Sequence, residues 1–166
     1  MYQRALQGYE KALGPDHTST LETVNNLGIL YADQGKLDEA EEMYQRALQG
    51  YEKAFSLENV ARYQPALNTM WCLGELFATQ GHLHEAKEMY SRAYTGFRAV
   101  LGPSSNKCQY LERRIASLDP TQAGMRDHDS GGTRSGVEAT ASIALDRNEK
   151  KKSPSVVRKL MRKLLR

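Results

Sequence analysis

The sequence predicts an all-α protein, a short solenoid of helical hairpins followed by a tail of different composition. Three observations carry that prediction. Residues 1–13 (MYQRALQGYEKAL) return as residues 43–55 (MYQRALQGYEKAF), changed only in the last position and offset by 42. A third copy starts at Met89, where Tyr90, Arg92, Ala93 and Gly96 match Tyr44, Arg46, Ala47 and Gly50 at an offset of 46. Between the copies, apolar residues recur every three or four positions, the spacing of one helix face. Self-similarity at a period of about 20–50 residues is the signature of stacked repeat architectures.

Taken in order, the periodicity predicts helices near 2–13, 19–34, 37–54, 66–80, 83–100 and 106–118. Residues 2–13 read as the second helix of a hairpin without its first, which leaves Tyr2, Ala5, Leu6, Tyr9 and Leu13 as an apolar face and predicts self-association. The next helix places Leu21, Val24, Leu27 and Tyr31 on one side, with Ser19 and Glu22 spaced as a capping box. Gly35 ends it. In the following helix Leu37, Ala40, Tyr44, Ala47 and Tyr51 form the apolar face. Asp38, Glu39, Glu41 and Glu42 come early and Arg46 and Lys53 late, an order that suits the helix dipole. The second hairpin repeats the scheme with Leu67, Met70, Leu73 and Phe77, then Leu83, Ala86, Tyr90, Ala93 and Phe97. Pro65 stands at its start, where a missing N–H costs nothing. Gly28, Ala40 and Ala47 are small where two helices would cross. Cys108, Leu111, Ile115 and Leu118 supply one more first helix or a cap.

The positions Leu27, Gly28, Tyr31, Ala40, Tyr44 and Ala47, repeated as Leu73, Gly74, Phe77, Ala86, Tyr90 and Ala93, resemble the tetratricopeptide repeat. The spacing of 42 and the connector Leu13-Gly14-Pro15-Asp16-His17 are similar to the longer-helix variant of kinesin light chains, which also occurs in repeat arrays of fungal nucleotide-binding signalling proteins. The resemblance implies a tetratricopeptide-type helical-hairpin solenoid over residues 1–118, divided into a half repeat (1–18), repeats at 19–64 and 65–103, and a capping helix (104–118). Residues 55–64 replace the Gly-Pro connector and insert four positions. The resemblance further implies that first helices line a concave groove for a protein or peptide ligand. Asn25, Asn26, Ile29 and Asp33, then Trp71, Cys72, Glu75 and Thr79, would be exposed there. Asparagine both donates and accepts, which suits a peptide backbone; Asn26 could equally bond the neighbouring helix. Trp71 is either a groove anchor or core packing against residues 55–64.

No catalytic, cofactor or metal motif emerges. The stretch 131–136 (GGTRSG) lacks a P-loop lysine and a preceding strand, and His82 and His84 are two apart, the wrong spacing for ligands on one helix face. Cys72 and Cys108 lie far apart, as expected of reduced thiols. There is neither a signal-peptide core nor an apolar run of the ~20 residues that span a bilayer, so a cytoplasmic protein is expected.

Charge is unevenly placed. Residues 119–166 hold 11 Lys and Arg against 6 Asp and Glu, leaving 12 against 14 in the first 118. The repeat body therefore gives no electrostatic case for nucleic acid. Residues 119–149 have the composition of a disordered linker. In residues 150–166, Val156, Leu160, Met161 and Leu164 fall on one side of a helix, and Arg158, Lys159, Arg162 and Lys163 on the other, at about 100° per residue. This basic amphipathic helix suits an anionic membrane surface or an acidic, calmodulin-like groove; nuclear import and docking onto the repeats are the alternatives. The sequence thus reads as a non-enzymatic adaptor. Its rivals are a sensor array of a nucleotide-switched signalling protein and a peripheral membrane or calmodulin-binding protein.

Overall fold

Glycine turns set the hairpins. The structure, a computed structural model, describes residues 2–118. The linker at 119–149 and the basic segment at 150–166, with all the tail residues named above, lie outside the described residues. Among the described residues there is no strand, and seven helices follow in order: α1 (Tyr2–Leu13), α2 (Thr18–Asp33), α3 (Leu37–Ala54), α4 (Leu57–Val60), α5 (Gln64–Gln80), α6 (Leu83–Leu101) and α7 (Asn106–Ser117). Gly35 and Gly81 sit at φ +76° and +85°, a left-handed conformation that a side chain would strain. At each turn the chain beyond the glycine reaches back into the helix it has left. Lys36 N donates to Tyr31 O at 3.0 Å, and His82 N to Phe77 O at 2.8 Å. The result is two hairpins, α2–α3 and α5–α6, built alike.

Within each hairpin two residues of each helix interlock. A Cβ added to Gly28 would lie 2.8 Å from the Tyr44 ring, and one added to Gly74 would lie 2.6 Å from Tyr90. The second helix answers with its own glycines. A Cβ on Gly50 would meet Leu21 at 2.3 Å, and one on Gly96 would meet Leu67 at 2.3 Å. Tyrosine on glycine and leucine on glycine thus fix the axial register of both pairs, and Ala40, Ala47, Ala86 and Ala93 are fully buried beside them. One core runs through the stack, from Leu6 through Leu21, Tyr44 and Tyr51 to Trp71, Phe97 and Leu111.

The helix starts depart from expectation. Ser19 and Glu22 do not form a capping box; α2 begins one residue earlier, and His17 Nδ1 accepts from Ser19 N at 3.2 Å. Thr20, buried, donates through Oγ1 to Gly14 O at 2.8 Å and pins the connector instead. Pro65 occupies the first turn of α5, where Tyr63 is the N-cap. The insertion folds as the additional helix α4, whose Val60 is buried while Leu57 is 81% exposed. Phe55 and Tyr63 close it, with ring centroids 4.7 Å apart, and Tyr63 meets Tyr51 edge-on at 5.3 Å.

Candidate functional site

The first-helix face is best built from its polar residues. Asn25 and Asn26 stand half-buried on α2, and a first helix of the next unit passes beside them. Asn25 Oδ1 accepts from Thr69 Oγ1 of α5 at 3.0 Å. One step further along, Asn68 Oδ1 of α5 accepts from Lys107 Nζ of α7 at 3.1 Å. Each first helix is therefore tied to the next by one amide oxygen. Asn26 is half-buried and makes no such tie. Ile29 and Asp33 are also half-buried, and Thr79 is exposed, its hydroxyl bonded to Glu75 O of its own helix at 2.8 Å.

Two of the expected groove residues are held inside. Trp71 is 2% exposed; its ring meets Tyr110 at 5.1 Å and Phe97 at 6.2 Å, centroid to centroid. It is a core residue, packed on Phe97 of α6 and Tyr110 of α7. Cys72 is buried as well, and burial pushes its thiol up to about 12, so no reactive thiolate is available there. The periodicity of α2 and α5 could not reveal this, because Trp71 is covered by the helix that follows its own hairpin.

Glu75 serves a purpose that sequence reasoning missed. Its Oε1 accepts from Tyr110 Oη at 2.9 Å, Arg114 Nε at 3.3 Å and Trp71 Nε1 at 3.3 Å. Its Oε2 accepts from Arg114 Nη2 at 2.9 Å. The same Nη2 donates to Tyr90 Oη at 3.0 Å, and the guanidinium lies over the Tyr90 ring. Burial alone would lower the Arg114 pKa, but Glu75 and Tyr90 beside it hold it above its ordinary value. Burial first, and the Glu75 carboxylate second, raise the Tyr110 phenol, which stays protonated and donating. Glu75 is thus a hub that fastens α7 to the α5–α6 hairpin. A pairing of one carboxylate with a two-pronged guanidinium is geometrically specific. The only signal in the sequence was an acidic residue near the middle of an otherwise apolar helix.

The second helices carry a ladder of their own. Arg46 of α3 pairs with Glu10 of α1, and Arg92 of α6 with Glu52 of α3 at 2.9 Å. Both pairs are spaced by the repeat. Beneath α4, Leu57, Val60, Met70, Arg92 and Gly96 line an open pocket of about 350 Å³. Among the described residues no group of three or more His, Cys, Asp or Glu could hold a metal ion, and no helix is long and apolar enough to cross a membrane.

Hairpins closed by left-handed glycines and locked tyrosine-on-glycine define a helical-hairpin solenoid. The family model of the tetratricopeptide repeat matches residues 1–53, so that part of the chain carries the signature of this repeat. Such repeats generally mediate protein–protein interaction and are typically non-enzymatic scaffolds. Among solved structures, the kinesin light chain-like BtubC (BKLC) from P. vanneervenii shares the fold with a TM-score of 0.55 at 16% identity. The match covers 85% of this chain and 61% of that one, so this chain spans under two thirds of its length. No curated protein matches the sequence.

Proposed function

We propose that this chain is a protein–protein interaction scaffold that takes a peptide segment on the first-helix face of α2 and α5. The observation that supports the reading most is Asn26. It is half-buried, its amide makes no hydrogen bond to another described residue, and half-buried Ile29 lies one position short of a helical turn away. An amide beside an apolar side chain can pair with a peptide backbone and cover one of its side chains. Asn25 and Asn68 bond neighbouring helices and Glu75 clamps α7, so the surface is held in shape before any ligand arrives. A preformed surface lowers the ordering cost of binding. Asp33 and Thr79 would border the bound segment; Trp71 and Cys72, being buried, take no part.

The test is selection of peptides on the full chain, followed by titration of the best binder against Asn26→Ala and Ile29→Asp. A loss of about tenfold or more in each, with melting unchanged, is the expected result. Equal affinity for both variants would remove α2 from the site.

A further inference from the structure

The two first helices carry the same stripe of the repeat with different charge. On α2, Glu22, Asn26, Ile29 and Asp33 recur at the three-and-four spacing of one helix side. This stripe starts and ends on a carboxylate. Glu22 is exposed and lies beside the Tyr63 phenol, and Asp33 lies near the Tyr44 phenol. At the offset of 46 those two ends become Asn68 and Thr79 on α5, both neutral. The carboxylate that α5 does place on the stripe, Glu75, is taken by Arg114.

A cation then reaches the α5 stripe from α7. Lys107 Nζ donates to Asn68 Oδ1 at 3.1 Å and lies 4.7 Å from the centroid of the Phe97 ring. Lys107 is half-buried, and burial lowers its pKa. Among the described residues no carboxylate pairs with it. An ammonium has three N–H donors, so one partly desolvated against an amide oxygen and a ring retains the capacity to bind an anion.

We propose that the segment held on the first-helix face is bipolar: a Lys or Arg lies over α2, toward Glu22 and Asp33, and an Asp or Glu reaches Lys107 beside Asn68. The inference rests on the peptide reading above and adds the order of the ligand's charges to it. Charges placed in this way govern which segments are refused and how one is oriented more than they govern affinity. A segment with two basic ends would bring a cation against Lys107. One with two acidic ends would bring a carboxylate against Glu22. The chain's own residues 150–166 hold eight Lys and Arg and no Asp or Glu, so their side chains offer no anion to Lys107.

The probes are labelled peptide pools of one length with varied, uncharged interiors, titrated against the full chain by fluorescence anisotropy. Their ends are Lys and Glu in both orders, Lys and Lys, or Glu and Glu. The tighter mixed pool should bind about fivefold or more better than either like-charged pool. Lys107→Gln should erase its margin over the Lys–Lys pool, and Lys107→Arg, which keeps the charge, should retain it. Glu22→Gln should shrink its margin over the Glu–Glu pool about twofold or more and leave the other margin alone. Circular dichroism and Tm should stay unchanged in all three variants. Equal binding of every pool, weakened throughout by Asn26→Ala, would overturn the bipolar assignment and leave the peptide face standing. A preference for the mixed pool that survives Lys107→Gln would overturn it as well. So would the absence of saturable binding by any pool; the peptide face itself falls only when the peptides selected on the full chain also fail.

Discussion

The helices α1 and α3 share twelve residues in a row and differ in almost every environment those residues meet. Tyr51 is fully buried, whereas its twin Tyr9 is 42% exposed; Leu6 and Leu48, on the opposite edge, are equally buried at 8%. Both segments are helical, so local sequence is sufficient for the helix and for its two-sided character. Burial is set by what lies alongside. α2 packs on both α1 and α3, and on the stripe of α1 that matches the buried one of α3 Tyr2 and Tyr9 are exposed and a Cβ on Gly8 would meet no described residue within 4 Å. Identical residues can therefore be read as core in one copy and as surface in the other.

Substitutions at twinned positions turn this comparison into measurements, the largest first. Tyr51→Ala should cost about 3–5 kcal/mol, the range for removing a buried aromatic, and Tyr9→Ala less than about 1 kcal/mol. Chemical denaturation of the two variants decides it; equal losses would mean that Tyr9 is covered in solution. Tyr51 Oη is buried without a hydrogen-bond partner, so Tyr51→Phe should be neutral or stabilising.

Next come the glycines. Gly50→Leu drives a side chain into Leu21 and should destabilise by about 1–3 kcal/mol or more, while Gly8→Leu should stabilise by about 0.5–1 kcal/mol. Thermal melts moving in the same direction for both would break the proposed equivalence of the two helices.

The third test concerns the far end of the stack. Glu75→Gln leaves the Arg114 guanidinium facing a neutral amide and should cost about 1–3 kcal/mol. Hydrogen exchange should rise in α7 before it rises in α2 and α3; uniform exchange across all helices would mean that α7 is not held by this hub. The smallest effect belongs to the ladder of second helices. Glu10→Ala and Glu52→Ala break half-exposed pairs and should each cost less than about 1 kcal/mol, less still at raised salt. A larger loss at Glu52 than at Glu10 would show that the pairing between α3 and α6 is less solvated than that between α1 and α3.

Much of the fold was legible because the signals are local. Helix spans followed from the three-and-four spacing, and the turns from Gly35 and Gly81 at matching places. The interruption at residues 55–64 was legible as an insertion but not as helix α4, since four residues are too few to show a period. The capping of α2 was misread because Ser19 and Glu22 satisfy the pattern, whereas the hydrogen bonds run through His17 and Thr20. At the candidate site Asn25, Asn26, Ile29, Asp33 and Thr79 were assigned from the resemblance, which puts the first helices along a groove. Trp71 and Cys72 share that phase and are buried, because Trp71 is closed over by α6 and by α7 from outside its hairpin, and Cys72 meets Tyr44 of α3.

By itself the sequence determined the helices, their turns, their small-residue crossings and the order of the hairpins, all of which depend on residues within about one repeat of each other. The tertiary structure decided which faces are covered. It gave Trp71 to the core, turned Glu75 from a groove residue into the clamp on α7, and left Tyr2, Gly8 and Tyr9 open where Tyr44, Gly50 and Tyr51 are closed. The physical reason is that a helix is specified by its own residues through short-range backbone bonding, whereas burial is a property of two surfaces, and one of them lies elsewhere in the chain.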